Sequence, residues 1–150
     1  MINTNQIQPA TAADYPAIRA LLRSCQLPYE ELDEQGQQAF LVLRKERDLI
    51  GTVGLEMHRP DGLLRSLAVS ESYRGKGYGK ALVDRLETVA DDQEIKTLYL
   101  LTTTAEAFFY SLGYRSMDRE SAPPSIQQTS EFAQVCPGTA TCMKKELQNT

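Results

Sequence analysis

Tyr73-Arg74-Gly75-Lys76-Gly77-Tyr78-Gly79-Lys80 follows the apolar run Leu63-Leu64-Arg65-Ser66-Leu67-Ala68-Val69 after three polar residues. Three alternate glycines between a strand-like run and an amphipathic stretch describe a loop whose bare amides can close on an anion. Glycine accepts positive φ and puts no Cβ between the backbone and a ligand. Amides converging at the start of a helix make a pocket for phosphate. Arg74, Lys76 and Lys80 gather positive charge at the same place. The stretch reads as a strand–loop–helix corner for a diphosphate-bearing ligand.

Two familiar phosphate loops fail on spacing. A Walker loop needs Gly, four residues, then Gly-Lys-Ser/Thr. Counting back from Gly79-Lys80 puts Arg74 at the first glycine, and Ala81 stands where the hydroxyl belongs. The dinucleotide fingerprint needs glycines at places one, three and six. Gly75 and Gly77 satisfy two of these, but Lys80 holds the sixth. What fits is Arg-x-x-Gly-x-Gly, as Arg74, Gly77 and Gly79. In this context it resembles the acetyl-CoA pyrophosphate loop of the GNAT acetyltransferase superfamily, Gln/Arg-x-x-Gly-x-Gly/Ala.

A second stretch, Thr102-Thr103-Thr104-Ala105-Glu106-Ala107-Phe108-Phe109-Tyr110-Ser111-Leu112-Gly113-Tyr114, resembles that superfamily's later motif, Asn-x-x-Ala-x-x-Phe/Leu-Tyr-x-x-x-Gly-Phe. Ala105, Phe108, Gly113 and Tyr114 match. Thr102 stands in place of the usual Asn, and Phe109 in place of a Tyr that often protonates the departing thiolate. Tyr110 is the nearest phenol, turned about 100° around the helix from that place. The tail from Ser130 to Leu147, with the runs Leu64–Val69 and Leu98–Phe109, looks like a subgroup linked to arsenic resistance.

The pattern of elements agrees with a single α/β domain over 1–150. Residues 5–8 read as a short strand limited by Pro9. Tyr15, Ile18, Leu21, Leu22 and Cys25 recur at helical spacing, with Pro16 in the first turn. Residues 29–38 read as a short helix or loop. Strands are expected at Phe40–Leu43, Leu49–Met57, Leu63–Val69 and Thr97–Thr102, with Pro60-Asp61-Gly62 as a hairpin turn. Helices are expected from Gly79 to about Asp91 and from Ala105 to Leu112. Pro123-Pro124 should break structure in a loop-rich tail, and 141–147 reads as a last edge strand. The resemblance implies a mixed, mostly antiparallel sheet flanked by helices, whose fourth and fifth strands splay to admit the cofactor.

A net charge of −4 argues against non-specific nucleic-acid binding. No apolar run approaches the ~20 residues of a membrane span. Three cysteines and no signal-like start lead us to expect reduced thiols in the cytoplasm. Cys136 and Cys142 raise a metal or arsenite reading, but their spacing lacks a zinc pattern, so no metal is expected.

For chemistry, the resemblance implies acetyl-CoA as donor and a small-molecule amine as acceptor, attacked in a ternary complex; a homodimer is compatible with it. The expected cofactor contacts are Leu67, Ala68, Val69, Arg74, Gly75, Lys76, Gly77, Tyr78, Gly79, Lys80, Thr102 and Phe109. Glu56 and His58 share one strand face by period-two spacing, which makes either a candidate base. Each has the alternative of an ordinary surface side chain. Glu56 and Tyr110 are the expected catalytic pair. Arg65 and Ser66, adjacent on a strand, should face opposite ways, one of them lining the acceptor side; Arg65 would suit a carboxylate. Competing readings are a protein N-acetyltransferase and a CoA-binding sensor without turnover.

Overall fold

The computed structural model describes residues 6–27, 29, 38–129, 131–135 and 140–147. Their seven strands form one sheet in the order β1-β2-β3-β4-β5-β7-β6. The strands are β1 (Ile7–Pro9), β2 (Gln38–Lys45), β3 (Asp48–His58), β4 (Asp61–Val69), β5 (Thr97–Thr102), β6 (Arg115–Met117) and β7 (Thr141–Glu146). The helices are α1 (Tyr15–Ser24), α2 (Tyr78–Asp92), α3 (Glu106–Ser111) and the single turn α4 (Pro124–Gln127). Every pairing is antiparallel except β4 with β5.

Each helix covers the face that its apolar stripe dictates. Leu82, Val83, Leu86 and Ala90 of α2 bury against Leu41, Leu43, Ile50, Val53, Leu55 and Leu64, together with Phe109 and Tyr114 behind α3. On the opposite face, Tyr15, Ile18, Leu21 and Leu22 of α1 pack on Phe40, Val42 and Ala68. Farther along that face, Leu63 and Tyr99 carry Ala122, Ile126 and Phe132. Arg44 bonds the Asp14 carboxylate, tying β2 to the start of α1 and holding that carboxyl below the usual carboxylate range.

Several expectations need correction. The last strand is not at an edge: β7 lies between β5 and β6. At three residues, β6 is too short to leave an alternating pattern in the sequence. Pro123-Pro124 does not simply break the chain, because Pro124 opens α4, where its missing N–H costs nothing. The hairpin turn is tighter than expected, with β3 running to His58 and β4 starting at Asp61. Gly62 pairs with Met57 inside the ladder. A Cβ there would sit 3.0–3.2 Å from Ile95, Leu55 and Leu98, so close packing explains that glycine. Apart from Tyr29 and Gln38, the expected 29–38 segment lies outside the described residues.

The topology leaves one opening. β4 and β5 pair only through Asp61–Leu63 opposite Thr97–Tyr99. Beyond that, β5 continues against β7 to Thr102, and β4 continues against β3 to Val69. The two central strands therefore diverge toward their C-terminal ends, and that is the end from which the glycine loop leaves.

Candidate active site

The loop after β4 reaches α2 through two left-handed glycines. Gly75 has φ +76° and Gly77, the N-cap of α2, has φ +86°. A Cβ on Gly75 would meet nothing within 4 Å, so its surroundings are open. The first helical bond is Ala81 N–H to the Gly77 carbonyl. Among the described residues, no acceptor engages the amides of Gly75 to Lys80, and no side chain caps the helix. Unsatisfied amides at a helix start carry the positive end of its dipole. They lie beside the divergence of β4 and β5.

The cations of the loop are less available than their spacing suggested. Arg74 turns back, Nε donating to the Val69 carbonyl at 3.0 Å and Nη2 to Cys25 Sγ at 3.3 Å. Lys76 stands 5.8 Å above the Tyr73 ring, and Lys80 pairs with Asp84 one turn on. Tyr78 is buried edge-on to Tyr73, so only its backbone faces the loop. The groups left open at the helix start are thus backbone amides, with the side chains turned aside around them.

β4 carries a bulge at the level of the opening. Arg65 pairs with Gly54 and Ala68 with Thr52, which leaves Ser66 and Leu67 together opposite Val53. Ser66 takes φ +59° to absorb the extra residue. The bulge overturns the expectation that Arg65 and Ser66 face opposite ways. Both point to the α1 face, and Arg65 Nε donates to Ser66 Oγ at 3.2 Å. It also restarts the alternation, so that Leu67 and Val69 lean on the α2 core while Ala68 buries under α1.

On the α1 face the side chains converge on Glu56. Its Oε1 accepts from Gln38 Nε2 at 3.0 Å, and its Oε2 is hydrogen-bonded to His58 Nε2 at 2.9 Å. Arg65, with a side chain fully shielded from solvent, places Nη1 3.6 Å from Glu56 Oε1. A second acid, Glu131, joins from the tail. Burial pushes its carboxyl up to about 7, with Arg65 opposing that rise and Glu56 adding to it. A groove lined by Met57, His58, Asp61, Pro123, Pro124 and Ser125 opens next to this cluster at the hairpin end.

The other expected site residues are dispersed. Thr102 ends β5 on the far bank of the opening, and its Oγ1 accepts from the Ala105 amide at 3.0 Å, closing the turn into α3. Phe109 is buried between Phe108 and Tyr114, where it packs the core. Tyr110 is set apart, 58% exposed, with the Arg115 guanidinium 4.3 Å above its ring. Changing Tyr110 to Phe should therefore alter turnover less than about twofold, against the ~10²–10⁴-fold of a working acid. Thiol release followed in both proteins checks this. Cys142 is buried and its thiol is pushed up to about 11 by burial, a poor state for a soft-metal ligand; Cys136 lies outside the described residues.

Two members of the cluster escaped the sequence reading. Gln38 opens β2 and meets Glu56 across the ladder, a register the sequence alone does not give. Glu131 comes from a tail with no periodicity, and only the fold brings it to Arg65.

Comparison with known proteins gives this arrangement a context. Protein YwlB of Bacillus subtilis is 26% identical over 132 residues, covering 86% of this chain and 88% of its own length. An amino-acid acetyltransferase of Pseudomonas fluorescens is 35% identical over 95 residues, 62% of this chain but 22% of its own length. The crystal structure of N-acetylglutamate synthase from Neisseria gonorrhoeae, complexed with coenzyme A and L-arginine, superposes with a TM-score of 0.79 at 22% identity. That match covers 95% of this chain and 33% of the synthase, and at such identity it shows the fold. The profile of the acetyltransferase (GNAT) family matches residues 6–114, from β1 through the loop to the end of the α3 motif, and the chain belongs to that family.

Proposed function

We propose that this protein transfers an acetyl group from acetyl-CoA to the amine of a small acceptor that also carries an acid group, an amino acid or an arsenical analogue of one. The observation that carries the donor half is the row of unengaged amides from Gly75 to Lys80 beside the diverging strands. Those amides suit a diphosphate. Among the described residues, no strand pairs the backbone of Leu67–Val69 on its β5 side, which suits it to hold the extended arm of the donor. The acceptor half rests on Arg65, a buried guanidinium that suits a carboxylate, beside the carboxylates of Glu56 and Glu131. The amino-acid acetyltransferase among its relatives favours the same substrate class.

The reaction needs little from the protein beyond placement. A deprotonated amine attacks the thioester carbonyl directly, with no covalent enzyme intermediate. Holding both reactants in line supplies much of the acceleration. Backbone N–H groups at the bulge are suited to stabilise the developing oxyanion. A thiolate is a tolerable leaving group near neutral pH, so the absence of a phenol at position 109 does not forbid turnover.

Release of free thiol from acetyl-CoA, screened across amino acids, polyamines, peptides and organoarsenicals, tests the reading. Amino acids or their acidic analogues should turn over, and polyamines should not. Release only with peptides would favour a protein acetyltransferase. Tight acetyl-CoA binding without any release would favour a sensor, the alternative that Phe109 and the outward Tyr110 support.

A further inference from the structure

One buried acid on the acceptor face has no task in this scheme. Glu131 opens the π-helical turn Glu131–Val135. The adjacent Phe132 packs with Leu63 of β4, Tyr99 of β5 and Cys142 of β7, which lays the turn on the acceptor face of the sheet. Arg119 fastens it from outside, donating to the Phe132 carbonyl with its guanidinium 5.5 Å over the Phe132 ring. Glu131 is only 5% exposed, and its Oε2 meets no hydrogen-bond partner among the described residues. Glu56 differs in that both its oxygens are engaged, by Gln38, His58 and Arg65. A buried carboxylate oxygen without a donor is costly unless something comes to meet it.

We propose that Glu131 is the proton acceptor for the acceptor ammonium, working beside Arg65 and Glu56 in the cluster on the α1 face. The inference rests on the acetyltransferase reading above and deepens it. Ionised Glu131 takes one proton from R–NH3+, giving R–NH2 and a neutral carboxyl. The nitrogen lone pair then forms the C–N bond as the C–S bond breaks. The second nitrogen proton leaves with the thiolate as free thiol, and Glu131 returns its proton to solvent after product release. Glu56, held by its three partners, supplies fixed negative charge for the ammonium while Arg65 takes the acid group.

The surroundings tune this acid for the task. The charged and titratable groups on this face of the elements packed against the turn are Glu56 and His58 of β3, Asp61 and Arg65 of β4, Tyr99 of β5, Cys142, Lys144 and Glu146 of β7, and Arg119. Burial raises the Tyr99 phenol and the Cys142 thiol, so both stay neutral at working pH. Desolvation lifts Glu131 to about 7 against the pull of Arg65. A base whose pKa lies near the operating pH combines an ionised population with proton affinity.

The test is the pH dependence of kcat/KM in the wild type and in Glu131→Gln, with the twenty L-amino acids supplied singly as acceptors. The wild type should show a limb rising through about pH 7; Glu131→Gln should lose that limb and fall roughly 10- to 100-fold at pH 8. Its affinity for acetyl-CoA should stay unchanged. A variant within twofold of the wild type at pH 8, or one keeping the limb, overturns the proposal alone. A wild type that acetylates no amine overturns the transferase reading and this step together. Should the variant fail to fold, carbon-13 carboxyl titration of the wild type decides: a resonance titrating near 7 supports the proposal, and none above 5.5 overturns it.

Discussion

Glutamate in place of Gly77 should remove measurable acetyl-CoA binding, raising Kd at least about 100-fold by calorimetry. Three effects act together. At φ +86° an L side chain is strained by roughly 1–2 kcal/mol, which disturbs the turn that aims the amides. The side chain also projects at the N-terminus of α2, where the open amides converge. Finally, its carboxylate is the charge that those amides attract, so it competes with the diphosphate from within. Gly77→Ala separates the terms, since it carries the strain alone and should cost less affinity. Stability should fall only by the strain, a few degrees in Tm for a chain of this size. Unchanged affinity in Gly77→Glu would remove the loop from the site.

Replacing Arg65 by Met should destabilise the fold by about 3–5 kcal/mol at pH 8, because it strips the cation from a buried pair and leaves carboxylates behind. The deficit should depend on pH, and its sign follows from Glu131. That carboxyl has a folded-state pKa of about 7, above its ordinary 4.5. Its favourable share of stability is therefore complete below about 4.5 and is lost as pH rises through 7. Without Arg65, ionising Glu131 beside Glu56 becomes more costly still. Urea denaturation should show a larger loss at pH 8 than at pH 5.5, and adding Glu131→Gln should recover part of it. A loss below about 1 kcal/mol, or one indifferent to pH, would contradict the cluster.

Local sequence carried the elements whose signal is local. The stripe Leu82, Val83, Leu86, Ala90 and the runs Leu63–Val69 and Thr97–Thr102 gave helix and strand within a residue or two. The glycines marked the loop between β4 and α2 because positive φ at Gly75 and Gly77 is a requirement on the residue itself. The bulge was invisible, since a serine supplies its positive φ and nothing in Leu-Arg-Ser-Leu announces that. Missing it put Arg65 and Ser66 on opposite faces. Strand β6 and the inner place of β7 escaped because three residues hold no period. The partners of Glu56 were out of reach for a further reason. Gln38 depends on ladder register, and Glu131 on how the tail folds over β4 and β5.

The charge of the loop also illustrates how spacing overstates side chains. Arg74, Lys76 and Lys80 read as a basic cluster for phosphate, yet Arg74 serves the end of β4 and Lys80 its own helix. What the loop leaves open is its backbone amides rather than those cations.

Amide nitrogen-15 NMR of the protein titrated with acetyl-CoA decides whether the loop amides hold the donor. The largest shifts should fall on Gly75 to Lys80, with a second group at Leu67 to Val69, along the edge of β4 that no described strand pairs. Saturation of binding with those amides unmoved, and the largest shifts elsewhere in the sheet, would contradict it.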